Sequence, residues 1–510
     1  MKRLAIVALL AGVLAWPLAA RVAAKPGCES SWTMYGHDLA HSFQQPCTDI
    51  SPADVAGLLP RWHVHTADSV TASPAVADGV LYDGDWSGNV YAIAAATGQV
   101  LWTRNLDDGE NVAFGRISSS PTLANIGGRR VLLIAGGATL YALQPSSGAV
   151  LASISLDPRS GAELTNGAPV EVESSPTVGS GGVIYVGLDV NETAGSGRTG
   201  LVALALTTSG FQPLWKFDPE LGRVYTGAGL LKADPSPATD FGCGDVWSSP
   251  AIDAASGLVL FATANCANSA EAKASGQLWS EAMFAVSAGS GAPAWKFQPA
   301  AVGQSDPNAD DDFGASPNLI TTASGRHLDG EGQKSAVYFA LDRTTGAEVW
   351  HQLAGQPGNV QAGNAIGGFI GSSAVESSSR GTAQRIIGAT ALPFPDPSDP
   401  ASIDRMTWAV RALDPETGRL LWVDRLAAPC YGATSVAGGV AFVPDTFSDT
   451  VEALDATTGT PLWAFPLDGP PSSTPVVVGD ALYLGTGTGE QGPNGQNVLA
   501  GASGIWAFGL

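Results

Sequence analysis

The sequence predicts an all-β fold, an eight-bladed β-propeller of four-stranded antiparallel blades, and three observations carry that reading. Glycine and proline are abundant, at 63 and 34 of 510 residues, and long amphipathic helical patterns are lacking. Short runs rich in Val, Ile, Leu and Tyr are separated instead by Gly, Asp and Ser turns. One unit then recurs in seven copies: an apolar strand, a Thr-Gly or Ser-Gly turn, and a closing strand that usually carries Trp.

The copies read YAIAAATGQVLW from Tyr91, YALQPSSGAVLA from Tyr141, LVALALTTSGFQPLW from Leu201 and MFAVSAGSGAPAW from Met283. They continue as YFALDRTTGAEVW from Tyr338, VRALDPETGRLLW from Val410 and VEALDATTGTPLW from Val451. Upstream of most copies a Ser-Pro or its relative opens another apolar strand: ASPAV at 72, SSPTL at 119, SSPTV at 174, SSPAI at 248, ASPNL at 315 and STPVV at 473. Each blade therefore begins with the Ser-Pro strand and ends with the Trp strand. The last stretch, STPVVV through GIWAFGL, has three strands and no Trp strand, and LPRWHVHT at 59–66 supplies the fourth from the N-terminus. Pairing the two chain ends closes the ring and leaves few open sheet edges. The recurring Trp102, Trp215, Trp295, Trp350, Trp422 and Trp463 read as blade-to-blade packing, since a repeated contact needs the same large apolar side chain each time.

Residues 1–24, MKRLAIVALLAGVLAWPLAARVAA, place Lys2 and Arg3 before an apolar run ending in small residues, the pattern of a secretory signal peptide. Residues 25–510 are then expected to form a single propeller domain in the periplasm or outside the cell. No later segment offers the roughly 20 unbroken apolar residues of a membrane span. The net charge, 25 minus 47 or −22, argues against nucleic acid or an anionic membrane as partner. The five cysteines allow two bridges and one free thiol in an exported chain, and none lies in a CxxCH haem-attachment pattern.

Within an antiparallel blade, the start of the first strand and the end of the second lie on one face of the disc. Five residues before the Ser-Pro proline stand Arg116, Asp245 and Asp312, and Trp247 follows Asp245 by two. At the ends of second strands stand Glu192, Asn265 and Lys334. These seven residues are expected to converge on one funnel mouth. Carboxylates and an amide are hard oxygen ligands suited to Ca²⁺, Arg116 and Lys334 answer an anion, and Trp247 offers a flat face to a planar group.

At these residues the chain resembles the pyrroloquinoline quinone (PQQ)-dependent alcohol dehydrogenases, eight-bladed propellers with the quinone buried near the axis. The resemblance runs from SWTMYGHDLAHSFQQPCTDISPADVAGLLPRWHVHT to the closing blade. VGLDVNETAGSGRTG is similar to the segment with a metal-binding glutamate, which implies Glu192 as a Ca²⁺ ligand. DVWSSPAIDAASGLVLFATAN resembles the segment that places a Trp floor under the quinone and a metal-binding Asn eighteen residues on, which implies Trp247 and Asn265. DDDFGASP resembles the catalytic segment and implies Asp312 as general base and metal ligand. QKSAVYFALDRTTG implies Lys334 at the quinone's reactive edge, and FGRISSSP implies Arg116 at a cofactor carboxylate. Ser174 and Asp245 are further candidate cofactor contacts, and Thr71 a weaker one. Lanthanide-using relatives carry an additional Asp two residues after the base; Gly314 stands there, so Ca²⁺ is expected. The resemblance implies oxidation of an alcohol, with electrons passed to an external acceptor such as a soluble cytochrome c.

The chain also departs from the family. It has no adjacent cysteine pair to cover the quinone, blade six offers only Asn364 near the usual polar contact, and blade seven reads PCYGATS, with Cys430 and Tyr431, where a Trp often stands. The overall style is most like the polyvinyl-alcohol dehydrogenase branch. Cys243 and Cys266 flank Trp247 and Asn265 and are expected to bridge, with Cys28 paired to Cys47 and Cys430 free. His37 and His41 read as a solvated loop, His63 and His65 as core-edge packing, and Asp83 and Asp85 as turn chemistry. The alternative function is a non-catalytic envelope propeller acting as an assembly or binding scaffold, which would need the Trp repeats but not Glu192, Asn265, Asp312, Trp247 and Lys334 together.

Overall fold

The computed structural model describes residues 30–107, 109, 112, 115–157, 171–189, 199–227, 229–231, 244–264, 280–299, 309–355, 358–359, 368–390, 408–488 and 503–510. The expected signal peptide, Cys28, Glu192, Cys243, Asn265, Cys266 and Asn364 lie outside the described residues. Eight antiparallel sheets form the ring. In blade one the strands Ala75–Ala77, Val80–Gly84, Asn89–Ala94 and Val100–Asn105 follow one another outward, and the other blades repeat that order. The closure is as expected: Leu59–His65 pairs antiparallel with Gly504–Gly509, so the N-terminal strand completes blade eight.

The Trp repeats act between blades. Trp62, Trp102, Trp215, Trp295, Trp350 and Trp422 each donate the indole N–H to a carbonyl at the turn of the following blade, at 2.9–3.2 Å. The Thr-Gly or Ser-Gly turn receives the ring face. A Cβ on Gly148, which has φ +66°, would stand 2.6 Å from the Trp102 ring, so this position needs glycine for both its conformation and its space. Blade two ends in Ala152 instead of Trp, and correspondingly a Cβ on Gly210 of blade three would meet nothing within 4 Å.

The Ser-Pro motif has a function the sequence pattern did not disclose. The backbone N–H of Ser73 donates to Ser120 Oγ, Ser120 to Ser175, Ser175 to Ser249, Ser249 to Ser316 and Ser316 to Ser372, while Thr474 donates to Ser73, all at 2.8–3.1 Å. A belt of hydroxyls thus ties the innermost strands to one another around the axis. It is interrupted at blade seven, where Ala433 stands in the corresponding position and offers no hydroxyl.

The N-terminal segment fills the axis. Trp32 bridges Val76 of blade one. Leu123, Ile252, Leu319, Val375 and Val436 donate their N–H groups to the carbonyls of Thr33, Leu39, Ala40, Ser42 and Phe43. One short segment therefore satisfies the inward-facing backbone donors of six blades in turn. Trp32, His41, Phe43 and Gln45 are fully buried in this plug.

The plug corrects the expectation of a solvated loop at His41. Its ring is fully buried, and that burial lowers its pKa from 6.5 to about 4. The folded pKa lies below the unfolded one, so the unfolded chain takes the proton first. The associated stability is whole above about pH 6.5 and declines by about 3 kcal/mol as pH falls towards 4. Denaturation midpoints measured across that window should fall less steeply for His41→Leu than for the unsubstituted protein; equal slopes would assign the loss to other groups. Asp85 behaves as turn chemistry: Oδ1 accepts from Ser87 and Asn89 backbone N–H groups, and Oδ2 from the Tyr91 hydroxyl. Asp83 is buried and accepts from the Gly84 N–H, and desolvation raises its pKa well above the ordinary carboxylate range.

Candidate active site

Asp312, Lys334 and Trp247 come together at the junction of blades four and five. Asp312 precedes Phe313, which is buried among Leu260, Ala262 and Met283 of blade four and Phe339 of blade five. Anchoring that ring inward turns the preceding side chain the other way, because side chains alternate along extended backbone. Val246 does the same for Trp247: Val246 is fully buried and its N–H donates to Leu188 O, while Trp247 stays half-buried.

Lys334 sits on the tight turn after the second strand of blade five. Ala336 N–H donates to Gln333 O, Gln333 N–H to Val337 O, and Ala336 holds the left-handed φ of +63°. Such a conformation costs about 1 kcal/mol or more for a residue with a Cβ and is retained where the surroundings enforce it. The turn is locked to the segment that carries Asp312 by Lys334 N–H donating to Asp312 O at 2.8 Å. Above that bond the Lys334 Nζ donates to Asp312 Oδ2, also at 2.8 Å, with both side chains largely buried. The same ammonium lies 5.3 Å from the Trp247 ring centroid. A carboxylate, an ammonium and a half-open indole face thus share one corner, as the funnel argument required.

Gly314 sets the position of the indole. A Cβ there would approach Trp247 Cη2 to 2.8 Å and Phe369 O to 2.9 Å. Gly314→Ala is therefore expected to displace Trp247, at a cost of about 1–3 kcal/mol. An unchanged tryptophan emission spectrum and an unchanged denaturation midpoint would refute that packing argument.

A second group forms where blades one and two meet. Arg116 is buried, with Nη2 3.0 Å from Asp107 Oδ1, and its N–H donates to Trp86 O. The Trp86 indole donates to Thr71 Oγ1 at 2.8 Å and its ring covers Gly115. Trp86, overlooked in the sequence directly after the turn aspartates Asp83 and Asp85, links these two candidate residues. Ser174 Oγ accepts from Gly187 N–H at 2.9 Å, and Ser473 Oγ makes the equivalent bond to Gly485 N–H in blade eight. That bond recurs with the fold and is part of blade construction. Asp245 is buried and its carbonyl accepts from Ala264 N–H. Asp311 is buried as well, while Asp310 belongs to the short strand Ala309–Asp310, paired with Gly358–Asn359.

On the blade-seven side, Tyr431 meets Phe447 edge-on at 4.7 Å between centroids and packs with Ile370. Ile370 also borders Gly314, so this apolar cluster adjoins the residue that seats Trp247. Phe447 carries no motif, and only the folding of blade seven brings it there. Cys430 is free and buried, its Sγ donating to Pro444 O at 2.9 Å, and burial raises its pKa well above the usual thiol value. Cys47 is disulfide-bonded.

The described residues suit a flat anionic cofactor: the Trp247 face supplies a platform and Lys334 the counter-charge. Of the expected metal ligands, Asp312 is the one within the described residues.

Residues 32–353 match the family described as glucose/ethanol/alcohol dehydrogenase, β-propeller domain. Residues 408–501 match the one described as outer membrane protein assembly factor BamB. A polyvinylalcohol dehydrogenase from Pseudomonas sp is 26% identical over 366 residues, covering 66% of this chain and 53% of the relative. Quinohemoprotein alcohol dehydrogenase ADH IIB from Pseudomonas putida is 27% identical over 377 residues, covering 68% and 52%. The chain thus spans about half the length of these relatives. Among solved structures, a europium-containing methanol dehydrogenase superposes with TM-score 0.70 at 17% identity, covering 94% of this chain and 98% of the other. At that identity the likeness concerns the fold.

Proposed function

The chain belongs to the glucose/ethanol/alcohol dehydrogenase β-propeller family, and from that premise we propose that it is a PQQ-dependent dehydrogenase that oxidises an alcohol in the periplasm or outside the cell. The observation that carries this reading is the corner of Asp312, Lys334 and Trp247, three residue types that a scaffold has no need to assemble. When bound, PQQ supplies the two-electron acceptor and Ca²⁺ a Lewis acid beside it.

This chain's residues divide the remaining work. Trp247 forms the floor of the cofactor site. Lys334 engages Asp312 through Oδ2, and the Asp312 carboxylate is the group proposed to receive the proton of the substrate hydroxyl. Glu192, Asn265 and Asp312 are the proposed metal ligands, and Arg116, Ser174 and Asp245 the proposed further cofactor contacts. Tyr431, Phe447 and Ile370 form an apolar neighbour to this corner and suit the carbon chain of a secondary alcohol, polyvinyl alcohol included. Among the described residues no helix is long and apolar enough to cross a membrane. The charge of −22 suits a positively charged soluble cytochrome c as acceptor. In the cysteine scheme, Cys47 pairs with Cys28, and Cys243 with Cys266.

Purified mature protein incubated with PQQ and Ca²⁺ should acquire quinone absorbance and reduce an artificial dye in the presence of one or more alcohols, from small primary alcohols to polyvinyl alcohol. No absorbance and no turnover across the panel would overturn the reading. The scaffold alternative draws on the match at residues 408–501, which covers the later blades but not the Asp312 corner.

A further inference from the structure

We propose that His63, His65 and Asp468 form a binding site for a divalent transition-metal ion that staples the closing strand of the ring. His63 and His65 alternate along Leu59–His65, and their ring centroids lie 4.2 Å apart. Asp468 comes from the connection that leaves blade seven after Pro461–Pro466, and its Oδ2 is 3.5 Å from His63 Nδ1. One ligand atom from each of the three residues lies within 4.8 Å of the other two. Atoms bound tetrahedrally at about 2 Å from one zinc ion stand roughly 3.3 Å apart, so small side-chain rotations complete the set.

The surroundings orient these ligands. Trp506 stacks on His63 at 4.1 Å and 12°, and its indole N–H donates to Asp468 Oδ1 at 3.2 Å. A single residue therefore sets both the plane of one imidazole and the direction of the carboxylate, the support expected around a metal site. His63 Nε2 is buried against Gly504 without a hydrogen-bond partner, which leaves Nδ1 as the nitrogen facing Asp468. His65 and Asp468 are exposed, so the ion can enter from solvent and complete its coordination with water. The packing expected of this pair from sequence holds for His63; His65 instead points outward beside the carboxylate.

Two imidazoles and one carboxylate favour Zn²⁺, Ni²⁺ or Cu²⁺ over Ca²⁺ or Mg²⁺. The site is thereby chemically distinct from the oxygen ligands proposed in the funnel. It joins the N-terminal strand to the chain just before blade eight, and an ion that binds only the closed ring stabilises that closure by linkage.

The test is calorimetric titration of metal-free mature protein with ZnCl₂ in the absence of quinone, alongside thermal unfolding. The unsubstituted protein should show a saturable equivalent that His65→Ala and Asp468→Asn each weaken at least about tenfold. Zinc at about a hundredfold excess over its Kd should raise Tm by about 2 °C or more, and neither variant should show that rise. Co²⁺ in place of zinc should give a ligand-field band that both variants lose. No saturable binding, or an equivalent that survives both substitutions, would overturn the proposal. Both substituted side chains are exposed, so the variants should fold.

Discussion

Asp312→Asn should lower turnover by about 10²–10⁴-fold while leaving the reconstituted protein folded and loaded with quinone. Asn keeps the shape of the side chain and can still meet Lys334 through its carbonyl oxygen, but it cannot accept the substrate's proton as a base. The measurement is dye-linked steady-state kinetics combined with quinone absorbance, which separates loss of chemistry from loss of cofactor. Asp310→Asn should keep most of its activity, because that residue lies in the short strand outside the corner. The reverse pattern would mean that the catalytic register is misassigned by two residues.

Phe43→Ala should be the most damaging single change to the fold, at about 3–5 kcal/mol. The ring is fully buried, meets Tyr35 edge-on at 5.1 Å, and belongs to the cluster that joins blades one, six, seven and eight. Its loss opens a cavity on the axis, where eight blades converge and none can move inward without disturbing its neighbours. Urea unfolding should show a lowered midpoint. A midpoint within experimental scatter of the unsubstituted protein would show that the plug rests on the ring without holding it together.

The fold was legible because each blade repeats the same local requirements. A strand period of two, a glycine at the outer turn and a tryptophan on the closing strand can all be read in YAIAAATGQVLW without knowledge of any other blade. The strand register also brought Asp312 and Lys334 to one mouth, since antiparallel pairing converts sequence separation into position. Trp86, Phe447 and Ile370 were not legible. They are ordinary aromatic and aliphatic residues whose roles follow from contacts across blade boundaries.

His41 shows where local reading fails. A histidine between Asp38 and Ser42 in a polar, turn-rich stretch has every local mark of a solvated loop. It is buried because the central strands present unsatisfied N–H groups to the axis, and the N-terminal segment supplies the carbonyls. The sequence alone determined the blade count, the manner of closure and the docking tryptophans, all properties of a repeated local pattern. Only the tertiary structure decided the hydroxyl belt, the axial plug, the seating of Trp247 against Gly314 and the meeting of His63 and His65 with Asp468. Each of those joins residues distant in the chain through contacts between blades, and pairwise placement of that kind leaves no period to read.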